Sequence, residues 1–201
     1  MLRAMSLDPR DLRVGAAYES SRADARSDAI GLRRRRRVDL GDLMSVVFES
    51  RETLAAAAEE ALRSERIEDP ERVGEEAGRF GLLLPPAGGL VATLFLEVSD
   101  AAELASVLTE LEGVAESVQL EIDGSHAPAT VFPFSPAAGG APPVAYLRFE
   151  LTASQREAWI EGARVLLRVA HPGYSASTEL SDEQRAAIAA DLLPAVAGER
   201  A

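Results

Sequence analysis

Cysteine and lysine are both absent from this chain of 201 residues. Without cysteine there are no disulfides, no thiolate nucleophile, no cysteine-ligated zinc and no cysteine-ligated iron–sulfur cluster. Without lysine, all 21 basic residues are arginine. Histidine is scarce too: His126 and His171 are the two in the sequence, too few for a histidine-rich metal site. No apolar run reaches the roughly eighteen residues that a membrane-spanning helix needs. The first eight residues, Met1 to Asp8, lack the apolar centre of a signal peptide, so the chain is expected to reside in the cytoplasm.

What is present is an ordinary globular composition, 47% apolar and 27% charged, long enough to bury one good core. The net charge is −12, but it is unevenly placed. Residues 1–48 hold ten arginines against seven acids, whereas residues 49–201 hold eleven against twenty-six. The acidic body repels nucleic acid and anionic lipid at long range, which leaves proteins and small molecules as expected partners. Against this background one segment departs sharply: five consecutive arginines, Arg33, Arg34, Arg35, Arg36 and Arg37.

Helix starts are legible. Asp8-Pro9 and Asp69-Pro70 each offer an N-cap carboxylate followed by proline at the first helical position. Thr152 with Gln155, and Ser181 with Gln184, read as capping boxes, and Asp100 with Glu103 is a close variant. These signals predict helices near 8–14, 70–79, 101–112, 153–161 and 182–193, with further helices over 17–34 and 51–66. Strand patterns lie between them. The stretches 43–48, 90–98, 118–122, 145–151 and 165–169 are apolar or alternate with period two, and a short strand is expected near 175–180. The segment 124–143, rich in proline, glycine and alanine, reads as a long surface loop carrying His126, Phe132 and Phe134.

From residue 90 the expected order is β, α, β, β, α, β, the arrangement of a ferredoxin-like core with a mainly antiparallel sheet. The predicted fold class is therefore α+β. An N-terminal helical segment with one strand occupies residues 1–89 and packs on the core, and the core plus a C-terminal helix occupies 90–201, the whole forming one compact unit. On such a sheet Glu97, Glu121, Arg148, Glu150, Arg164 and Arg168 share the face opposite the core helices, with Phe95, Tyr146 and Leu166 interspersed. Charges of both signs with aromatics suit a covered interface, against the N-terminal helices or a second subunit.

Two sets of residues are candidates for function. The run Arg33–Arg37 is a candidate docking site for an acidic partner, because guanidinium groups form bidentate pairs with oxyanions. Its structural alternative is a helix C-terminus, where cations meet the negative end of the dipole. The second set is a pocket of Glu49, Arg63, Glu65, Arg148, His171 and Tyr174, in which arginines and carboxylates would hold an anionic metabolite or a divalent metal. His171 stands at a strand end before Pro172 and Gly173, where a base or ligand could sit, but no nucleophile or second histidine lies beside it in sequence.

Several segments together resemble the bacterial family named domain of unknown function 3501. They are Leu7-Asp8 through Tyr18 and Arg22; Ile30 through Val38 with Gly41; Phe48 to Thr53; Glu60, Arg63 and Glu65 to Ile67; Leu84-Pro85 with Leu90 to Thr93; Glu97; Tyr146 to Leu151; and His171 to Tyr174. The resemblance spans nearly the whole chain. It implies an accessory role in redox or peroxide stress, beside a rubrerythrin-like protein or an iron–sulfur or flavin oxidoreductase subunit. The absence of cysteine and the two histidines point to a chain without a redox cofactor of its own, and the mixed-charge sheet face makes a second copy of the chain the alternative partner.

Overall fold

The computed structural model describes residues 6–98, 100–133 and 143–193. It divides into two units: one runs through Arg35 and resumes over Glu49–Pro86, the other joins Arg36–Phe48 to the residues from Ala87 onward.

The first unit is helical. Asp8 accepts from the Arg10 N–H and starts a short 3-10 turn, Pro9–Asp11, where a helix over 8–14 was expected. The turn ends because Leu12 is extended and Gly15 has φ +53°, which restarts the chain as α1, Gly15–Arg36. A β-carbon at Gly15 would only displace the flexible Glu68 carboxylate, so it is the positive φ that favours glycine here. Helix α2, Arg51–Ser64, begins with a capping box of Ser50 and Thr53; α3, Pro70–Gly81, begins with the Asp69 cap and a proline. Leu54, Ala58, Leu62, Val73 and Ala77 are buried on α2 and α3, which pack together. Helix α1 is different: of its 22 residues, Tyr18 and Arg36 alone are buried. It lacks the broad apolar stripe of a core helix, so polar pairs rather than hydrophobic area hold it.

The second unit is built on eight strands: β1 Arg37–Leu40, β2 Met44–Phe48, β3 Gly89–Leu96, β4 Val118–Ile122, β5 Ser125–Val131, β6 Val144–Glu150, β7 Val165–His171 and β8 Tyr174–Glu179. They form one sheet in the order β1-β2-β3-β6-β5-β4-β7-β8 with every neighbouring pair antiparallel. Helices α4, Ala101–Glu110, α5, Ala153–Ile160, and α6, Asp182–Ala189, complete it. Alternate residues from β1 to β7, including Val46, Phe48, Leu94, Leu120, Leu147, Phe149 and Leu167, point into one core with Trp159 and Ile188, and Tyr174 and Ala176 of β8 pack against it. Burying each of the larger side chains contributes about 2 kcal/mol. Trp159 also donates its indole N–H to the Arg185 carbonyl, joining α5 to α6.

This sheet corrects the ferredoxin-like expectation. That arrangement places the first and last core strands side by side, whereas β3 and β7 lie four positions apart. The difference arises in the expected loop 124–143. Asp123 and Gly124 have φ +48° and +77°, the two-residue turn that joins tight hairpins, and β5 follows it. Pro128 disguises β5, yet it sits where the strand passes from pairing with β4 to pairing with β6, so its missing N–H interrupts little. His126 is therefore on a strand, Phe132 directly follows it, and Phe134 lies outside the described residues.

The sheet nearly closes into a barrel, and side chains complete the closure between β1 and β8. Thr178 donates to the Asp39 carbonyl at 2.7 Å, and the Gln184 amide donates to the Arg37 carbonyl. The Tyr174 hydroxyl lies 3.0 Å from the Leu40 carbonyl and from an Asp42 carboxylate oxygen, and accepts from the N–H groups of Asp42 and Leu43. Gly41, at φ +72°, makes room: a β-carbon there would overlap that hydroxyl. Gly41→Ala is expected to destabilise the protein by about 2 kcal/mol, measured by chemical denaturation, through combined strain and overlap. In a Tyr174→Ala background the same change should cost less, because the overlap is gone.

Candidate functional site

The six residues of the sequence-derived pocket are distributed between both units. Glu49 precedes α2, is buried, and accepts from the Thr53 hydroxyl. Arg63 and Glu65 are at the other end of that helix, about 20 Å away at 1.5 Å per residue. Arg63 donates to Glu19 at 2.6 Å, and Glu65 is the C-cap. In the second unit, Arg148 is on β6 and His171 on β7, with β5 and β4 between them. The His171 Nδ1 accepts from the Gly173 N–H, so Nε2 carries the proton and donates to the Glu112 carbonyl at 2.9 Å. Both ring nitrogens are thus engaged in holding the β7–β8 turn. Tyr174 is engaged in the closure described above. Neither triplet converges, and among the described residues no group of three His, Asp or Glu side chains is placed to hold a metal ion.

The polar sheet face is largely self-satisfied. Arg168 pairs with Glu121, Arg164 with Glu179 at 2.7 Å, and Arg37 and Ser45 both meet Glu97. The Arg148 guanidinium stacks 4.7 Å from the centre of the Phe132 ring, while its buried Nε finds no acceptor. The Ser45 hydroxyl and then the Arg37 guanidinium hold the Glu97 carboxyl below its ordinary range.

The arginine run splits into two parts. Arg36, 3% exposed, donates to the Phe48 carbonyl at 2.8 Å, to the Ala187 carbonyl at 2.6 Å and to the Asp191 carboxylate. Arg37 begins β1 and pairs with Asp39 and Glu97. These two are structural. Arg33, Arg34 and Arg35 occupy the last turn of α1 and, among the described residues, make no hydrogen bond or ion pair.

The opposite end of α1 is tied to α2. Arg13 grips the buried Glu59 through its backbone N–H and guanidinium, at 2.7–2.9 Å, and Arg22 and the Tyr18 hydroxyl both meet Glu60. Further along, the helices face each other through alanines. Between them lies a cleft of about 310 Å³ lined by Arg26, Ala29, Ile30, Arg33, Ala56, Ala57 and Glu60. Sequence reasoning missed this cleft; its signal was the run Ala55 to Ala58, too small to fill the space beside α1.

The profile of the family described as protein of unknown function DUF3501 matches residues 6–192. The chain belongs to the DUF3501 family. A crystal structure of a protein of unknown function from Burkholderia pseudomallei is similar to it, with a TM-score of 0.88 and 26% identity over 94% of this chain and 100% of that one. No curated protein matches. No helix among the described residues of this DUF3501 chain is long and apolar enough to cross a membrane.

The α1–α2 ties titrate in opposite directions. The Arg22 hydrogen bond, helped by Tyr18, lowers the Glu60 pKa, so its contribution is present above the ordinary carboxylate range and is lost as pH falls through the depressed value. Burial, then Glu60, pushes Tyr18 up to about 12, so its contribution holds below the ordinary value near 10 and is lost as pH rises toward 12. Glu60→Gln should cost less than about 1 kcal/mol at neutral pH. It should flatten the acid limb of a plot of thermal midpoint against pH, whereas Tyr18→Phe should flatten the alkaline limb.

Proposed function

We propose that this DUF3501 chain is an accessory protein that docks an acidic protein partner through the exposed end of α1. The observation that carries this reading is the contrast within one arginine run: Arg36 and Arg37 are consumed by internal partners, while Arg33, Arg34 and Arg35 make none among the described residues. The helix dipole offers about half an elementary charge of compensation at that end, against three cations. The surplus is an attractive field for anionic surface, and it speeds and orients association more than it adds affinity. Ile30, one turn earlier, is 64% exposed and supplies an apolar contact beside the charges.

The acidic remainder of the chain, −15 over residues 49–201, argues for a protein partner over nucleic acid or anionic lipid. A redox or peroxide-stress partner, such as a rubrerythrin-like protein or an oxidoreductase subunit, is the setting that the family resemblance favours. In that setting electrons stay with the partner, because this chain offers no thiolate and two histidines, of which His171 is engaged at both nitrogens. A cytoplasmic location accords with this role.

The triple variant Arg33→Ala, Arg34→Ala, Arg35→Ala is expected to stay folded, within about 0.5 kcal/mol of the parent. It should lose the salt-sensitive co-purification of the native partner. Arg36→Ala is expected to cost about 3 kcal/mol, since it removes a buried guanidinium that meets the Asp191 carboxylate and two carbonyls. Unchanged co-purification by the triple variant would sink the docking reading, and its unfolding would make the whole run structural.

A further inference from the structure

The cleft between α1 and α2 lies on the same turns of α1 as the proposed docking surface. Arg26, Ile30 and Arg33 follow one another at spacings of four and three residues, so cation, apolar group and cation share one face. All three line the cleft, whose floor is Ala29, Ala56 and Ala57. At about 310 Å³ it is at the lower end of ligand pockets, the size for one or two side chains. Its single acid, Glu60, is already bonded to Arg22 and Tyr18, whereas Arg26 and Arg33 make no hydrogen bond or ion pair among the described residues. The site therefore presents two cations that make no hydrogen bond or ion pair among the described residues, Arg26 acting on Glu60 only through space, around an apolar hollow with an apolar lip at Ile30.

We propose that this cleft is the anchor of the docking surface and takes an apolar side chain flanked by carboxylates, carried on an acidic segment of the partner protein. The inference rests on the docking reading and deepens it by naming what is recognised. Charge complementarity selects the segment: carboxylates on either side of the apolar residue reach Arg26 and Arg33. The floor selects the apolar residue, because alanine side chains leave a hollow that water fills poorly and a leucine-sized group fills well. The acidic body disfavours a long polyanion such as RNA while tolerating a short acidic peptide.

Fluorescence anisotropy with the labelled peptide Glu-Glu-Leu-Glu-Glu tests the proposal, alongside Glu-Glu-Gly-Glu-Glu and Lys-Lys-Leu-Lys-Lys. The parent protein should bind the leucine peptide about tenfold more tightly than the glycine peptide, and should not bind the lysine peptide. Arg26→Ala with Arg33→Ala should weaken binding about tenfold and reduce its salt dependence. Ala57→Leu, which fills the hollow and keeps the charge, should weaken it comparably with an unchanged thermal midpoint. If the leucine and glycine peptides bind the parent alike and Ala57→Leu changes nothing, the cleft inference fails while the docking reading stands. If the arginine variants also bind normally, both fail. Competition by free glutamate or citrate as strong as by the peptide would overturn the segment in favour of a small-anion site.

Discussion

A sheet that curls toward closure leaves two edges facing each other, and their backbone groups need partners. In this chain the edge carbonyls of β1 at Arg37, Asp39 and Leu40 are met by Gln184, Thr178 and Tyr174 rather than by a continuous ladder. The rest of the second unit depends on that substitution. Tyr174 reaches across because His171 and Gly173 turn the chain tightly, and Gly41 lacks a side chain because the phenol occupies its space. Closure then places alternate residues of the strands in one core, where each large side chain contributes about 2 kcal/mol. An edge satisfied by side chains also protects against pairing with other chains, the usual liability of exposed strands.

The same logic of partners sorts the five arginines. One chemical group takes three roles within five positions because burial differs. Arg36 is enclosed, so each N–H it leaves unpaired would be costly, and it meets two carbonyls and a carboxylate. Arg37 lies on the outer face of a strand and joins a half-exposed network of modest energy. Arg34 and Arg35 are exposed and Arg33 is half-exposed at the cleft, and charge that water still reaches costs little to leave without a partner. Residues that stability does not need are the ones available for recognition.

Local signals are legible in this sequence and non-local ones are not, for a physical reason. Caps act within four residues, so the starts of α2, α3, α5 and α6 are written in Ser50-Thr53, Asp69-Pro70, Thr152-Gln155 and Ser181-Gln184. Alternation likewise announced most strands. The turn Asp123-Gly124 is equally local and marks the start of β5, but Pro128 and the surrounding glycine and alanine read as loop. Convergence of Glu49, Arg63, Glu65, Arg148, His171 and Tyr174 was never a local property, and spacing along the chain carries no information about it. The cleft beside Ala56 and Ala57 is a void, and a void is visible only once two helices are placed.

What the sequence by itself determined is the starts of the capped helices, most of the strands, the α+β class, the uneven charge, the family, and the exclusion of thiolate chemistry. Each of these follows from residue identity within a turn or two, or from counting. The tertiary structure alone decided the strand order, the near-closure of the sheet, the structural duty of His171 and Tyr174, and the division of the arginines into committed and uncommitted. Those depend on which groups meet across tens of residues to well over a hundred, where the desolvation of each side chain is set by neighbours that its local sequence does not name.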